Sequence, residues 1–128
     1  MTDDLREGGR PTGLTRLWLA TMNSRRGIQQ CYRSEAAFRQ ELWLACLLLP
    51  TGLWLGQNGI ERALLVGSVI VLLIVELLNT GIEVVVDRIG VERHPLSGFA
   101  KDVGSAAVLF GLVLLFSTWA LVLWDRFF

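Results

Sequence analysis

Apolar residues are gathered into three long segments that are separated by short polar stretches. The segments cover residues 42–55, 63–86 and 103–124, and the third contains 22 residues without a charge. A helix of that length rises about 33 Å, which matches the hydrocarbon core of a membrane. Three such segments in 128 residues leave too little polar surface to cover them in water. The pattern therefore predicts an all-α membrane protein with three transmembrane helices.

The stretch before the first apolar segment, residues 13–34, has the pattern of a surface helix. Its apolar residues recur on one helical face: Leu14, Leu17, Trp18, Ile28 and Tyr32. Most arginines lie off that face, as in helices that lie in the membrane interface. Gly27 weakens the helix, so two shorter helices are an alternative. We expect residues 1–34 to form a tail and an amphipathic surface helix, and residues 35–128 to form the transmembrane domain.

Composition and charge agree with a membrane protein and indicate its orientation. Hydrophobic residues make up 52% of the chain and charged residues 19%, below the roughly 25% typical of soluble domains. The formal net charge of zero argues against nucleic-acid binding. Ten of the twelve basic residues lie before the first span or in the 87–102 connection, leaving only Arg62 and Arg126 for the other side. The positive-inside rule places the N-terminus in the cytoplasm.

The second apolar segment carries a polar stripe. Glu76, Asn79, Thr80, Glu83 and Asp87 follow one another at spacings of three, one, three and four residues, which places them on one helical face. Each carboxylate near the centre of a bilayer costs a few kcal/mol, so such groups face a bundle interior or a cavity and are functional by default. The alternative is that these residues only make hydrogen bonds between helices for assembly.

Two further polar clusters flank the spans. In the first, Ser34 is placed to cap a helix whose first turn holds Glu35 near the cytoplasmic surface. The second cluster is the connection at residues 91–107, where His94 with its following proline is typical of a turn. This connection also contains Lys101, the only lysine of the chain, which with the residue after it is expected to open the last helix.

Carboxylates, arginines and one lysine at a cytoplasmic interface fit phosphoryl transfer. That reaction needs divalent cations on the phosphate oxygens, a cation near the leaving phosphates and a base for the attacking hydroxyl. The chain has neither a GxxxxGK[ST] loop nor the glycine loop of protein kinases, so a nucleotide site here must be of another kind.

Three sequence motifs resemble a known family. EAAFRQE at residues 35–41, VELLNTGIEVVVDRIG at 75–90 and AKDVGSAAV at 100–108 resemble prokaryotic diacylglycerol kinase in order and spacing. The resemblance implies a homotrimer of three-span protomers with active sites shared between protomers. It also implies a kinase domain that uses ATP and Mg²⁺ to phosphorylate diacylglycerol to phosphatidic acid at the cytoplasmic face of the bacterial inner membrane.

The resemblance also implies roles for individual residues. Glu76 is implied as the catalytic base, Glu35 and Glu83 as Mg²⁺ ligands, and Asn79 and Asp87 as supporting polar residues. The implied nucleotide-binding residues are Arg16, Asn23, Glu35, Glu83, Glu92, Arg93, His94, Lys101 and Asp102. The implied lipid-binding residues are Ala37, Phe38, Arg39, Gln40, Glu41, Glu76, Ser105 and Trp119.

Two other functions are compatible with the motifs to different degrees. A related lipid kinase that acts on undecaprenol would use the same chemistry. Diacylglycerol is favoured over undecaprenol only because this chain is closer to the diacylglycerol-specific branch of the family. A small oligomeric transporter would use Glu76 as a buried acid, but it leaves Glu35, Lys101 and Asp102 without a role. ATP consumption with the two lipids side by side separates these possibilities.

Overall fold

The computed structural model describes residues 12–128, and every regular element in that range is helical. In chain order the four helices are α1 (Gly13–Ser34), α2 (Ala36–Leu55), α3 (Gly59–Ile89) and α4 (Pro95–Phe127). The predicted all-α class is confirmed.

Helix α1 belongs to a compact unit of its own, which ends at Ser34; the second unit runs from Glu35 to Phe128. The helix is continuous through Gly27, so the alternative of two shorter pieces is wrong. Its apolar residues are exposed within this chain: Leu14, Leu17, Trp18 and Ile28 all present large parts of their side chains. An exposed apolar face is what a helix lying at a membrane surface requires.

The boundary between α1 and α2 differs from the expectation. Ser34 is the last residue of α1, and its hydroxyl donates a 2.9 Å hydrogen bond to the carbonyl of Gln30. Glu35 has extended backbone angles, with φ −117° and ψ 111°, and occupies the position just before α2. Ser34 is therefore not the cap of α2, because its hydroxyl bonds back into the preceding helix.

The second unit is built around α3, which packs against both α2 and α4. A buried cluster joins the three helices: Ala45 from α2, Val69 and Leu72 from α3, and Leu115 from α4. Leu48, Leu49, Leu73, Leu112 and Trp119 pack around it. Because α3 is the central helix, its polar stripe lies within reach of residues from both α2 and α4.

Two arginines and a tryptophan join the helices at the end opposite to the connection between α3 and α4. Arg62 at the start of α3 donates to the carbonyl of Leu53 at 3.0 Å, and Arg126 at the end of α4 donates to the carbonyl of Leu55. Both carbonyls belong to the last turn of α2, where a helix leaves its acceptors without intrahelical partners. Trp119 donates to the carbonyl of Leu65 at 3.1 Å.

Among the described residues, α3 and α4 are the two helices long and apolar enough to cross a membrane by length and composition. Helix α2 has 20 residues, but Arg39 and Glu41 fall in its first two turns. The apolar part that remains, residues 42–55, rises only about 21 Å. The third span accordingly stays a prediction.

Helix α4 starts earlier than expected. It begins at Pro95 rather than at Lys101, because the proline takes the first helical position and His94 caps the helix. The Nδ1 atom of His94 accepts a 3.1 Å hydrogen bond from the backbone N–H of Leu96. Lys101 and Asp102 therefore lie well inside the helix, and the expectation that they open it is wrong.

Candidate active site

The polar stripe of α3 runs from the bundle interior to the exposed end of the helix. Glu76 and Thr80 are buried, with 5% and 8% of their surface exposed. Asn79 and Glu83 are half-buried, whereas Asp87 is exposed. Asp87 follows Glu76 by eleven positions, which corresponds to about 16 Å along the helix axis. The stripe thus joins a dry end to a wet end along one helical face.

Helix α2 brings a second carboxyl group to the buried end. The carboxyl groups of Glu41 and Glu76 face each other within hydrogen-bonding reach. Glu35, at the start of the same helix, and Glu83 both lie within electrostatic range of Glu76. Two carboxylates in such close contact repel each other unless a proton or a cation lies between them. The pairing marks a place where a proton donor or a positive charge fits.

Three buried oxygen atoms in this region have no hydrogen-bond donor among residues 12–128: Glu41 Oε2, Glu76 Oε2 and Asn79 Oδ1. Each is an acceptor, and a buried acceptor without a partner costs about 1–3 kcal/mol. Native structures seldom leave such atoms unpaired without a reason, and a bound ligand is one such reason. The two carboxylate oxygens, which belong to the facing side chains of Glu41 and Glu76, suit a hydroxyl group or a cation.

Helix α4 contributes a positive charge at the exposed end. The Nζ atom of Lys101 lies 2.8 Å from Oδ1 of Asp87, and roughly half of each side chain is exposed. Glu83 also lies within electrostatic range of this ammonium group. Lys101 is therefore available to share its charge between the stripe and an anionic ligand.

A hollow of about 570 Å³ opens beside this ion pair. It is lined by Asp87, Lys101 and the connection between α3 and α4, including Glu92, Arg93 and His94. Four of the residues predicted to bind nucleotide thus share one hollow. Asp102 is exposed and does not line it.

The carboxylates suit a divalent cation whose remaining ligands come from a bound substrate and from water. No group of three or more histidine, cysteine, aspartate or glutamate side chains suited to a metal occurs in the part of the chain that the structure describes. Mg²⁺ is commonly held by one or two carboxylates together with substrate phosphates and water. Glu35 and Glu83, which both lie within electrostatic range of Glu76, suit that arrangement.

Several predicted residues are not brought to the carboxylates. Phe38 is 2% exposed and packs within the helix bundle, so in this chain it does not line an open groove. Trp119 lies toward the opposite end of the helix bundle, where it donates a hydrogen bond to the carbonyl of Leu65. Ala37, Gln40 and Ser105 are exposed. In the first unit Arg16 is exposed, and Asn23 accepts a 2.8 Å hydrogen bond from Arg26.

Three relationships in the site were missing from the sequence interpretation. They are the contact between Glu41 and Glu76, the ion pair of Lys101 with Asp87, and the close approach of Gly104 to Asn79. The first had a visible signal, since Glu41 is an acidic residue at the edge of an apolar segment. The other two join different helices and have no local pattern.

Comparison with known proteins identifies close relatives over nearly the whole chain. Residues 22–123 match the family model described as prokaryotic diacylglycerol kinase. The chain is 47% identical over 116 residues to diacylglycerol kinase of Escherichia coli strain K12, covering 91% of this chain and 95% of that protein. It is 46% identical over 112 residues to the Haemophilus influenzae diacylglycerol kinase, covering 88% and 95%. The Pseudomonas aeruginosa diacylglycerol kinase is 47% identical over 112 residues, covering 88% and 91%.

Proposed function

The chain belongs to the prokaryotic diacylglycerol kinase family and is a lipid kinase of a bacterial membrane, and we propose that its lipid substrate is diacylglycerol. In this reaction the γ-phosphoryl group of ATP is transferred to the free hydroxyl of diacylglycerol. The products are phosphatidic acid and ADP. We further propose that the reaction takes place at the cytoplasmic face of the inner membrane.

The observation that carries this proposal is the graded burial of the polar stripe on α3. A lipid hydroxyl lies at the boundary of the hydrocarbon core, whereas ATP stays in water. A site for both must therefore extend from a dry region to a wet one. The buried Glu76 lies at the dry end, and Asp87 with Lys101 lies at the wet end beside the hollow.

Glu76 is proposed as the catalytic base. Its unpartnered oxygen accepts the proton of the lipid hydroxyl while the hydroxyl oxygen forms a bond to the γ-phosphorus and the bond to ADP breaks. Glu41 faces Glu76 and limits the directions in which that carboxylate can turn. Asn79, one turn away, has a further unpartnered oxygen, which is buried against α4.

Membership of a kinase family implies a nucleotide and a divalent metal, and Mg²⁺ is the metal proposed here. Glu35 and Glu83 are proposed to hold it. When bound, the metal would supply positive charge to offset the negative charge that develops on the phosphate oxygens. Lys101, Glu92, Arg93 and His94 bind the nucleotide from the hollow, while Asp87 holds the ammonium group of Lys101 in place.

The active protein is proposed to be a homotrimer in which sites are shared between protomers. Residues 35–128 form the transmembrane kinase domain, and residues 1–34 form the surface unit that carries Arg16 and Asn23. Asp102 and Ser105, which have predicted binding roles, are exposed on α4 in this chain. Their exposure supports a neighbouring protomer as the second wall of the site.

The direct test is phosphate transfer by the purified protein in mixed micelles that contain ATP, Mg²⁺ and one lipid. Diacylglycerol should be phosphorylated much faster than undecaprenol under matched conditions. Glu76→Gln serves as the control for contaminating kinases. Faster transfer to undecaprenol would reassign the substrate, and ATP consumption that no lipid stimulates would reject lipid phosphorylation by this protein.

A further inference from the structure

Gly104 lies where α4 passes the polar stripe of α3. The residue is buried, and a Cβ atom built at this position would overlap the amide oxygen of Asn79. Gly111, two turns further along α4, is also buried, but its Cβ would meet the Cδ1 atom of Leu72 at 3.2 Å. The end of that leucine side chain needs to move by only a few tenths of an ångström, whereas the deeper overlap at Gly104 requires the amide group of Asn79 to leave its place.

Asn79 connects this glycine to the carboxylates. Its Nδ2 atom donates a long hydrogen bond of 3.4 Å to Oε1 of Glu83, and its Oδ1 atom is buried against α4. By holding one oxygen of Glu83, the amide restricts the direction of the other. The side chain can occupy this space only because position 104 has no side chain of its own.

We propose that Gly104 is a positioning residue for phosphoryl transfer. The missing side chain lets Asn79 lie between α3 and α4, where it orients Glu83 toward the metal–nucleotide complex. This inference rests on the metal-binding role proposed above for Glu83. Gly104 itself touches neither substrate nor reacting atoms.

The first test is the Mg²⁺ dependence of Gly104→Ala in mixed micelles with diacylglycerol. Loss of a hydrogen-bonding partner behind a metal ligand typically costs about 10- to 100-fold in metal affinity or activity. The Mg²⁺ concentration for half-maximal activity should therefore rise about tenfold or more. The KM for diacylglycerol should stay unchanged. Gly111→Ala is the matched control, since it fills space in the same helix pair and should leave the Mg²⁺ dependence as it is.

A second test measures stability without metal or substrate. Asn79→Ala removes the oxygen that the new methyl group meets. Gly104→Ala should lower the melting temperature in the wild-type background and leave it nearly unchanged in the Asn79→Ala background, because coupled residues are not additive. If Gly104→Ala alone does not fold, the protein carrying both substitutions should fold and melt close to Asn79→Ala.

The results that would overturn the proposal are distinct. A wild-type Mg²⁺ dependence of Gly104→Ala overturns it, and so does an equal loss of melting temperature in both backgrounds, which would leave Gly104 with a packing role alone. If the wild-type protein phosphorylated no lipid, the proposed function would fail. The metal-free stability measurements would still decide whether Gly104 exists to accommodate Asn79.

Discussion

The ammonium nitrogen of Lys101, on α4, lies 2.8 Å from a carboxylate oxygen of Asp87, at the end of α3. The two residues are separated by 14 positions in the chain, so the pair forms only when the connection between the helices folds back. Both side chains are about half-exposed, and exposed ion pairs contribute little to stability. The location of the Lys101–Asp87 pair beside the hollow therefore indicates a role in ligand binding rather than in stabilising the fold.

Replacing Lys101 with methionine should weaken ATP binding while leaving stability nearly unchanged. We expect the KM for ATP to rise at least about tenfold, the usual cost of losing a charged hydrogen bond. Asp87→Asn should have a smaller effect, because the ammonium group remains. Initial rates over a range of ATP concentrations, with melting curves alongside, provide the check. A large loss of stability with an unchanged KM would assign the pair a structural role.

Glu76→Gln should lower turnover by about a hundredfold or more, within the usual range for removing a positioned base. The amide keeps the volume of the side chain, so ATP binding and assembly should survive. Turnover at saturating ATP and diacylglycerol measures the first effect, and binding of a nucleotide analogue measures the second. Near-normal turnover would shift the search for the base to Asp102 or Asp87.

Glu35→Gln and Glu83→Gln should each raise the Mg²⁺ concentration needed for half-maximal activity and lower turnover. The reason is that an amide keeps the shape of a carboxylate but not the charge that Mg²⁺ prefers. In each variant we expect metal affinity or activity to fall by about tenfold or more, as with other substitutions at metal sites. Magnesium titrations of both variants decide the matter. Curves that superimpose on the wild type would remove these two residues from the metal site.

Arg126→Ala should destabilise the protein without changing the chemistry. It removes the donor to the carbonyl of Leu55 at the end of α2, and such a bond to a charged group contributes about 1.5–3 kcal/mol. Thermal unfolding in detergent should show a lower melting temperature, with the KM for ATP unchanged. Arg88→Ala is the control for the loss of a positive charge, because Arg88 is an exposed arginine in the last turn of α3, at the opposite end of the bundle. An equal loss in both variants would contradict a specific role of Arg126.

A cysteine added after Phe128 should be labelled from the periplasmic side of intact cells, provided that the native Cys31 and Cys46 are first replaced by serine. This expectation follows from the positive-inside distribution of basic residues. Only Arg62 and Arg126 lie on the predicted outer side, and both donate to carbonyls at the end of α2. Labelling that required permeabilised cells would show the opposite orientation.

The helices and the polar stripe were predictable from the chain because both are local. Periodicity places Glu76, Asn79, Thr80, Glu83 and Asp87 on one helical face whatever the helix packs against. The apolar lengths of α3 and α4 likewise identify segments long enough to cross a membrane. Boundaries were less predictable, since the side chains of Ser34 and His94 each had more than one backbone group within reach.

The relationships between helices were decided by the tertiary structure alone. Glu41 meets Glu76, Lys101 meets Asp87 and Gly104 meets Asn79 because each helix has one particular rotation and one axial offset against α3. Those two quantities result from how apolar side chains such as Ala45, Val69, Leu72 and Leu115 fill the space between helices. Periodicity determines which residues share a face, but the faces of different helices are matched only by packing in three dimensions.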